Sequence, residues 1–285
     1  MHLSALSSAT GLMEMVRLDE ALKLSEAMGA ALDDVGGKQL VQQAIKNLQQ
    51  AARKDASGLI VDPQYSYPLL KSDQKLPGLA FRLHQQLGST VDPLAIPSLI
   101  QDWGVEAIRN NYGVAFLELH YHPSEADALR KKQIVTELAD YCHHEGIDFI
   151  LSLIVYTPAT EEFNSQRFQE AQLTAIQELR AFPQLLALQY PLDPLSAATV
   201  TAELDVPWIL SDMGLEYEPF KGMLRESLEN GAKGFLAGEV IWKDLSKEKD
   251  QAALLSPDTI DRYFTTIGRD RILELVRITE EYEEK

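Results

Sequence analysis

Eight apolar runs of strand length recur along the chain, at residues 12–19, 58–62, 78–84, 114–121, 149–156, 185–192, 208–211 and 235–242. Amphipathic patterns of helical period fall between them, at 40–53, 99–110, 125–144, 165–179, 195–203 and 220–229, with a last helix from 259 into a charged tail ending at 285. Gly113, Gly146, Gly231 and the Asp92-Pro93 pair punctuate the joins as helix stops do. Each crossover is long enough to return the chain parallel to the preceding strand. Eight such repeats close most naturally as a single-domain α/β fold, a (β/α)8 TIM barrel, and 285 residues is a usual length for one. An open doubly wound sheet would want Gly-x-Gly-x-x-Gly after an early strand, and the chain has none.

Charge narrows the range of partners. With 26 Lys and Arg against 43 Asp and Glu, a net of −17, the chain repels polyphosphate backbones unless it carries a local basic patch, and the sequence displays none, so nucleic acid is disfavoured. No apolar run approaches a membrane span, and the N-terminus lacks a basic leader with a continuous apolar segment. The lone cysteine, Cys142, cannot form an intrachain disulfide and fits a reducing compartment. A soluble, cytoplasmic protein is expected, with no cofactor motif. A homo-oligomer is compatible with the sequence but not specified by it.

In parallel α/β proteins the chemistry collects past the carboxyl ends of the strands. Side chains alternate along a strand, so Phe116, Glu118 and His120 share one face of the fourth. The same parity joins Arg17 to Asp19 on the first, while Asp62, Arg82, His84, Ser152, Gln189, Ser211, Asp212 and Glu239 mark the other ends. Asp19, Asp62, Glu118, His120 and Glu239 are donor types that suit a divalent cation, yet no compact ligand motif joins them. The competing expectation is that Arg17 and Arg82 pair these acids, because a barrel interior must neutralise any charge it buries. That pairing is the reading preferred here, with no metal assigned. Tyr65 and Tyr67, between Pro63 and Pro68, form a rigid aromatic loop that either lines a pocket mouth or packs, and His143-His144 suit a helix C-terminus.

Several stretches resemble one known family: Met15-Val16-Arg17-Leu18-Asp19, Ser57-Gly58-Leu59-Ile60-Val61-Asp62-Pro63, Asp102-Trp103, Leu210-Ser211 and, most specifically, Gly234-Phe235-Leu236-Ala237-Gly238-Glu239-Val240-Ile241-Trp242. They are similar, in order and over nearly the whole chain, to the class I aldolases that cleave tagatose bisphosphate and sulfofructose phosphate, (β/α)8 barrels related to deoxyribose-phosphate aldolase. The resemblance implies a lysine on the sixth strand that forms a Schiff base with a ketose phosphate. Ala187 stands at that position, and Gln189 where a glutamate is expected. Ala115 or Phe116, depending on register, replaces a second lysine on the fourth strand. Ser152 replaces a glutamate on the fifth, and Glu20-Ala21 replace glutamine and arginine after Asp19.

The phosphate-binding positions implied by the resemblance also depart. Asp212-Met213 stand where small residues would let backbone N–H groups approach an oxyanion, and Glu239 follows Gly238 where an arginine would pair the phosphate. No lysine lies between Lys132 and Lys221 to substitute, and Lys71 and Lys243 read as solvated. The expectation is therefore a pseudo-aldolase that binds a small sugar-like molecule or a protein partner. The alternative is a carbon–carbon lyase of altered, non-Schiff-base mechanism, metal-assisted or not, on a sugar-like carbonyl substrate. If active, Asp19, Glu118, His120 and Glu239 are the catalytic candidates, and Asp62, Arg82, Gln189, Ser211 and Gly238 the ligand-binding ones.

Overall fold

The computed structural model describes residues 2–70, 76–85, 92–248 and 255–282. Eight parallel strands close in sequence order into one barrel: β1 Met13–Arg17, β2 Gly58–Val61, β3 Gly78–Arg82, β4 Val114–Tyr121, β5 Phe149–Val155, β6 Leu185–Leu188, β7 Trp208–Ser211 and β8 Gly234–Ala237, with β1 paired to β8. Around them run α1 Ala21–Met28, α2 Val35–Ala52, α3 Val105–Asn110, α4 Ala128–Glu145, α5 Ser165–Leu179, α6 Pro194–Glu203, α7 Tyr217–Glu229, α8 Glu239–Trp242, α9 Pro257–Tyr263 and α10 Arg269–Glu280. This is the expected (β/α)8 barrel.

Strand parity divides the core in two. Met13, Met15, Ile60, Ala80, Val114, Phe116, Ile150, Leu185, Ala187, Ile209 and Leu236 fill the barrel interior, while the alternate residues face the helical layer. Leu6, carried by the N-terminal segment, closes the interior from the N-terminal end of the strands. That segment lies so close to β3 that a Cβ on Gly78 would sit 1.9 Å from the Ala5 carbonyl oxygen, so only glycine fits there.

Several boundaries differ from the sequence expectation. The run 235–242 is not one strand: β8 ends at Ala237 and the chain turns at Gly238 into α8, because the Gly238 and Val240 N–H groups donate to the Asp212 carboxylate at 2.8 Å each rather than to a neighbouring strand. The run 185–192 stops at Leu188, and the Gln189 side chain instead accepts from Val155 N–H at 2.7 Å. The helix expected over 99–110 starts at Val105 after Asp102, whose φ is +57°. The helix α1 was not expected, although Ala21, Leu24 and Met28 form its buried face and Gly29 caps it. The last helix contains a π turn at Phe264–Gly268, and its expected end at 283–285 lies outside the described residues.

The aromatic loop packs. Tyr67 stacks edge-on against Phe81 at 4.8 Å between ring centroids and donates to Asn111 Oδ1 at 2.7 Å, on the helical side of the sheet. His143 and His144 fall in the last turn of α4, before Gly146 at φ +67°. Among the described residues no helix is long and apolar enough to cross a membrane.

Candidate functional site

Above the apolar interior, at the carboxyl ends of the strands, lies a buried charge network. Phe116, not Ala115, faces inward on β4, and the Arg17 guanidinium lies 5.4 Å from its ring centroid. Arg17 donates to both Asp19 oxygens, Nε to Oδ1 and Nη2 to Oδ2, each at 2.9 Å, and its Nη1 donates to Glu118 Oε2. Arg82 reaches the same acid from β3, with Nη1 2.5 Å from the Asp19 carbonyl oxygen and 3.4 Å from Oδ2. Burial is the largest single influence and raises the carboxyl pKa of Asp19 and of Glu118, but Arg17, joined by Arg82 at Asp19 and by Lys23 at Glu118, brings the net below the usual carboxylate range. Both acids are ionised at neutral pH, and they hold the Arg17 proton more firmly still.

A second group closes the side of β1, β7 and β8. Asp212 turns inward onto the Gly238 and Val240 amides, so a protein carboxylate occupies the cradle where the resemblance would place an anion. A Cβ on Gly238 would lie 2.2 Å from Glu20 Oε2 and 3.0 Å from Arg17 Cβ, so this glycine admits Glu20 to the mouth. Glu20 is buried, its Oε2 has no hydrogen-bond partner, and burial moves its pKa upward. Lys23 on α1 places Nζ 3.0 Å from Glu20 Oε1 and 3.8 Å from Glu239 Oε2. Glu20 raises the Lys23 pKa, and the ammonium remains protonated. An amine so held is a poor nucleophile, the opposite of what an imine-forming lysine requires.

Between β3, β4 and the segment after β3, a cavity of about 150 Å³ remains open. His84, Glu118 and His120 line its polar wall, and Ala95, Ile96 and Pro97 its apolar one. The Glu118 N–H points at His84 Nδ1, 3.4 Å away, which assigns the proton to Nε2. Burial, reinforced by Arg82, lowers the His84 pKa to about 3, so this imidazole is neutral at physiological pH. Burial also lowers that of His120. Beside the cavity Lys131 is fully buried and spends its three donors on Pro93 O, His120 O and Glu125 Oε2, at 2.7, 2.8 and 2.8 Å. It tethers the segment after β3 to the end of β4.

The expected site residues thus divide. Asp19, Arg82, Glu118, His120, Glu239 and Gly238 gather at the mouth, but Asp19 and Arg82 are spent on the network. Asp62 folds onto its own loop, accepting from Gln64 and Tyr65 N–H at 2.8 and 2.7 Å and from Ser66 Oγ at 2.9 Å. Gln189 is held by β5, and Ser211 Oγ lies against Met213 Sδ at 3.5 Å. The five candidate metal donors do not converge: among the described residues no three His, Cys, Asp or Glu side chains come together as a cation needs. Lys243 pairs with Glu216 at 3.0 Å and donates to Gly214 O, while Lys71 lies outside the described residues. Sequence reasoning missed Lys23, because the pattern of α1 went unread, and gave His84 no role.

Relatives of known activity share this frame. The chain is 22% identical over 270 residues to "Tagatose 1,6-diphosphate aldolase 2" of Enterococcus faecalis, covering 84% of this chain and 81% of the relative. It is 20% identical over 312 residues to "Tagatose 1,6-diphosphate aldolase" of Lactococcus lactis, covering 97% and 93%. Among solved structures, an archaeal fructose 1,6-bisphosphate aldolase superposes with a TM-score of 0.67 at 12% identity over 98% of both chains, a likeness of fold. No family model matches the chain. By sequence and architecture, the chain is an aldolase-family (β/α)8 barrel, homologous to the tagatose 1,6-diphosphate aldolases.

Proposed function

We propose that this barrel binds a small hydroxylated, sugar-like molecule at its mouth and has given up imine chemistry. The observation that carries the reading is the cavity of about 150 Å³ lined by Glu118, His84 and His120, beside which Lys131 spends its three donors on Pro93, His120 and Glu125. An ionised Glu118 accepts from ligand hydroxyls, and the His84 Nε2–H donates to a hydroxyl or carbonyl oxygen. Ala187 and Phe116 offer only hydrocarbon where the resemblance implies lysines. The carboxylate of Asp212 on the Gly238 and Val240 amides disfavours a phosphorylated ligand.

Titration calorimetry with dihydroxyacetone, glyceraldehyde and short ketoses tests the reading. Binding is expected to the wild type and about tenfold weaker to Glu118→Gln, since a charge-assisted hydrogen bond is lost. Equal binding by both proteins would place the ligand elsewhere. One observation favours a second reading, a non-imine lyase: the neutral His84 could hold its Nε2–H against the enolate oxygen that develops at the ketose carbonyl as the carbon–carbon bond breaks, while the hydroxyl that becomes the aldehyde gives up its proton to water. Ketose cleavage that survives a chelator and is lost in His84→Gln would favour it.

A further inference from the structure

We propose that a cleft on the outer helical layer is a second binding site, for a small oxyanion that retains an O–H, inorganic hydrogen phosphate being the simplest. The cleft lies between the end of α2 and the π turn before α10, and its volume, about 190 Å³, exceeds that of the mouth cavity. The wide π turn sets Thr265 and Arg269 beside α2, and Gln43 and Asn47 of α2 fix that turn by donating to Asp261 Oδ1 at 2.6 and 2.5 Å. This packing brings Arg53 and Lys54 together with Arg269, more than two hundred residues away, and so assembles a cationic patch that the linear sequence hides.

The charges in this cleft are uncommitted. Other cations of the chain are paired, as with Arg109 and Glu145, Arg262 and Glu248, or Arg271 and Asp244, though among the described residues exposed ones such as Lys38 and Arg130 are not; this cleft sets three unpaired cations in one lining. Among the described residues Arg53, Lys54 and Arg269 make no ion pair. In a protein of net charge −17 the long-range field repels anions, so retention must come from such local charges. Asp55 lines the same cleft, and among the described residues its carboxylate makes no ion pair, its Oδ2 being buried without a hydrogen-bond partner. A free carboxylate repels a fully deprotonated oxyanion but accepts a hydrogen bond from one that carries a proton. Three cations with one acceptor therefore select phosphate, which keeps an O–H near neutral pH, over sulfate, which has none.

Calorimetric titration of the full chain with phosphate and with sulfate, at pH near neutral and matched ionic strength, decides the matter. The wild type is expected to bind phosphate and to bind sulfate at least about tenfold more weakly, the loss of one charge-assisted bond. Arg53→Gln with Arg269→Gln should weaken phosphate by about tenfold or more, and Asp55→Asn should bring the two anions close together. The side chains of Lys54 and Arg269 are exposed, so Lys54→Gln and Arg269→Gln singly, with unchanged thermal unfolding, guard against a folding defect. Glu118→Gln should leave phosphate binding untouched, which separates this site from the mouth. Equal response to both anions, unmoved by the substitutions, or no phosphate binding up to about 10 mM, would overturn the proposal.

Discussion

Replacing His84 by glutamine tests the electrostatics of the mouth in a way that packing alone cannot imitate. Burial, then Arg82, lowers the imidazole pKa to about 3, with Glu118 and Asp19 opposing; an unfolded histidine titrates near 6.5. Between those values the unfolded chain takes up a proton that the folded chain refuses, so this group makes stability fall as the pH falls through that window. Integrated from about pH 7.5 to about pH 5, the loss is about 2 kcal/mol. Glutamine can still accept from the Glu118 N–H but does not titrate. Urea unfolding of both proteins at the two pH values cancels the contribution of the many other acids. The cost of His84→Gln should shrink by about 2 kcal/mol on going to about pH 5. A cost that does not change with pH would mean that the imidazole titrates normally and that the mouth is far wetter than described.

Other outcomes follow from the same geometry. Arg17→Met leaves Asp19 and Glu118 buried without their main partner and should cost about 3–5 kcal/mol in urea unfolding at neutral pH, much of it recovered when Asp19→Asn and Glu118→Gln are added. Gly238→Ala drives a methyl against Glu20 Oε2 and should cost about 1–3 kcal/mol, less in the presence of Glu20→Ala. Ala187→Lys introduces an amine into the barrel interior but should not restore cleavage of phosphorylated ketoses in a coupled assay, because Asp212 still holds the Gly238 and Val240 amides.

The barrel was legible because its information is local and repeated: eight apolar runs, each followed by a long return, leave few alternatives. Parity grouped Phe116 with Glu118 and Arg17 with Asp19, and the expectation that Arg17 and Arg82 pair the buried acids holds for Asp19 and Glu118 but not for Asp62 or Glu239. Where a run outlasts its strand, periodicity misleads, as at 235–242, since a side-chain carboxylate 26 residues earlier decides where β8 ends. Asp62 looked like a site residue from its place at a strand end, but its partners are Gln64, Tyr65 and Ser66 of its own loop. Lys23 lay on a helix whose apolar pattern and Gly29 cap were readable, whereas the Arg53, Lys54 and Arg269 cluster depends on how helices pack around the barrel, which no one-dimensional pattern encodes.

The central claim, that an aldolase-family barrel has lost imine chemistry, is tested most directly by borohydride trapping. The intact protein is incubated with dihydroxyacetone phosphate, glyceraldehyde or a short ketose, reduced, and weighed by mass spectrometry. With Ala187 at the expected position and Lys23 held protonated by Glu20, no stable mass increase is expected. An adduct that maps to a single lysine, Lys23 above all, would contradict the account.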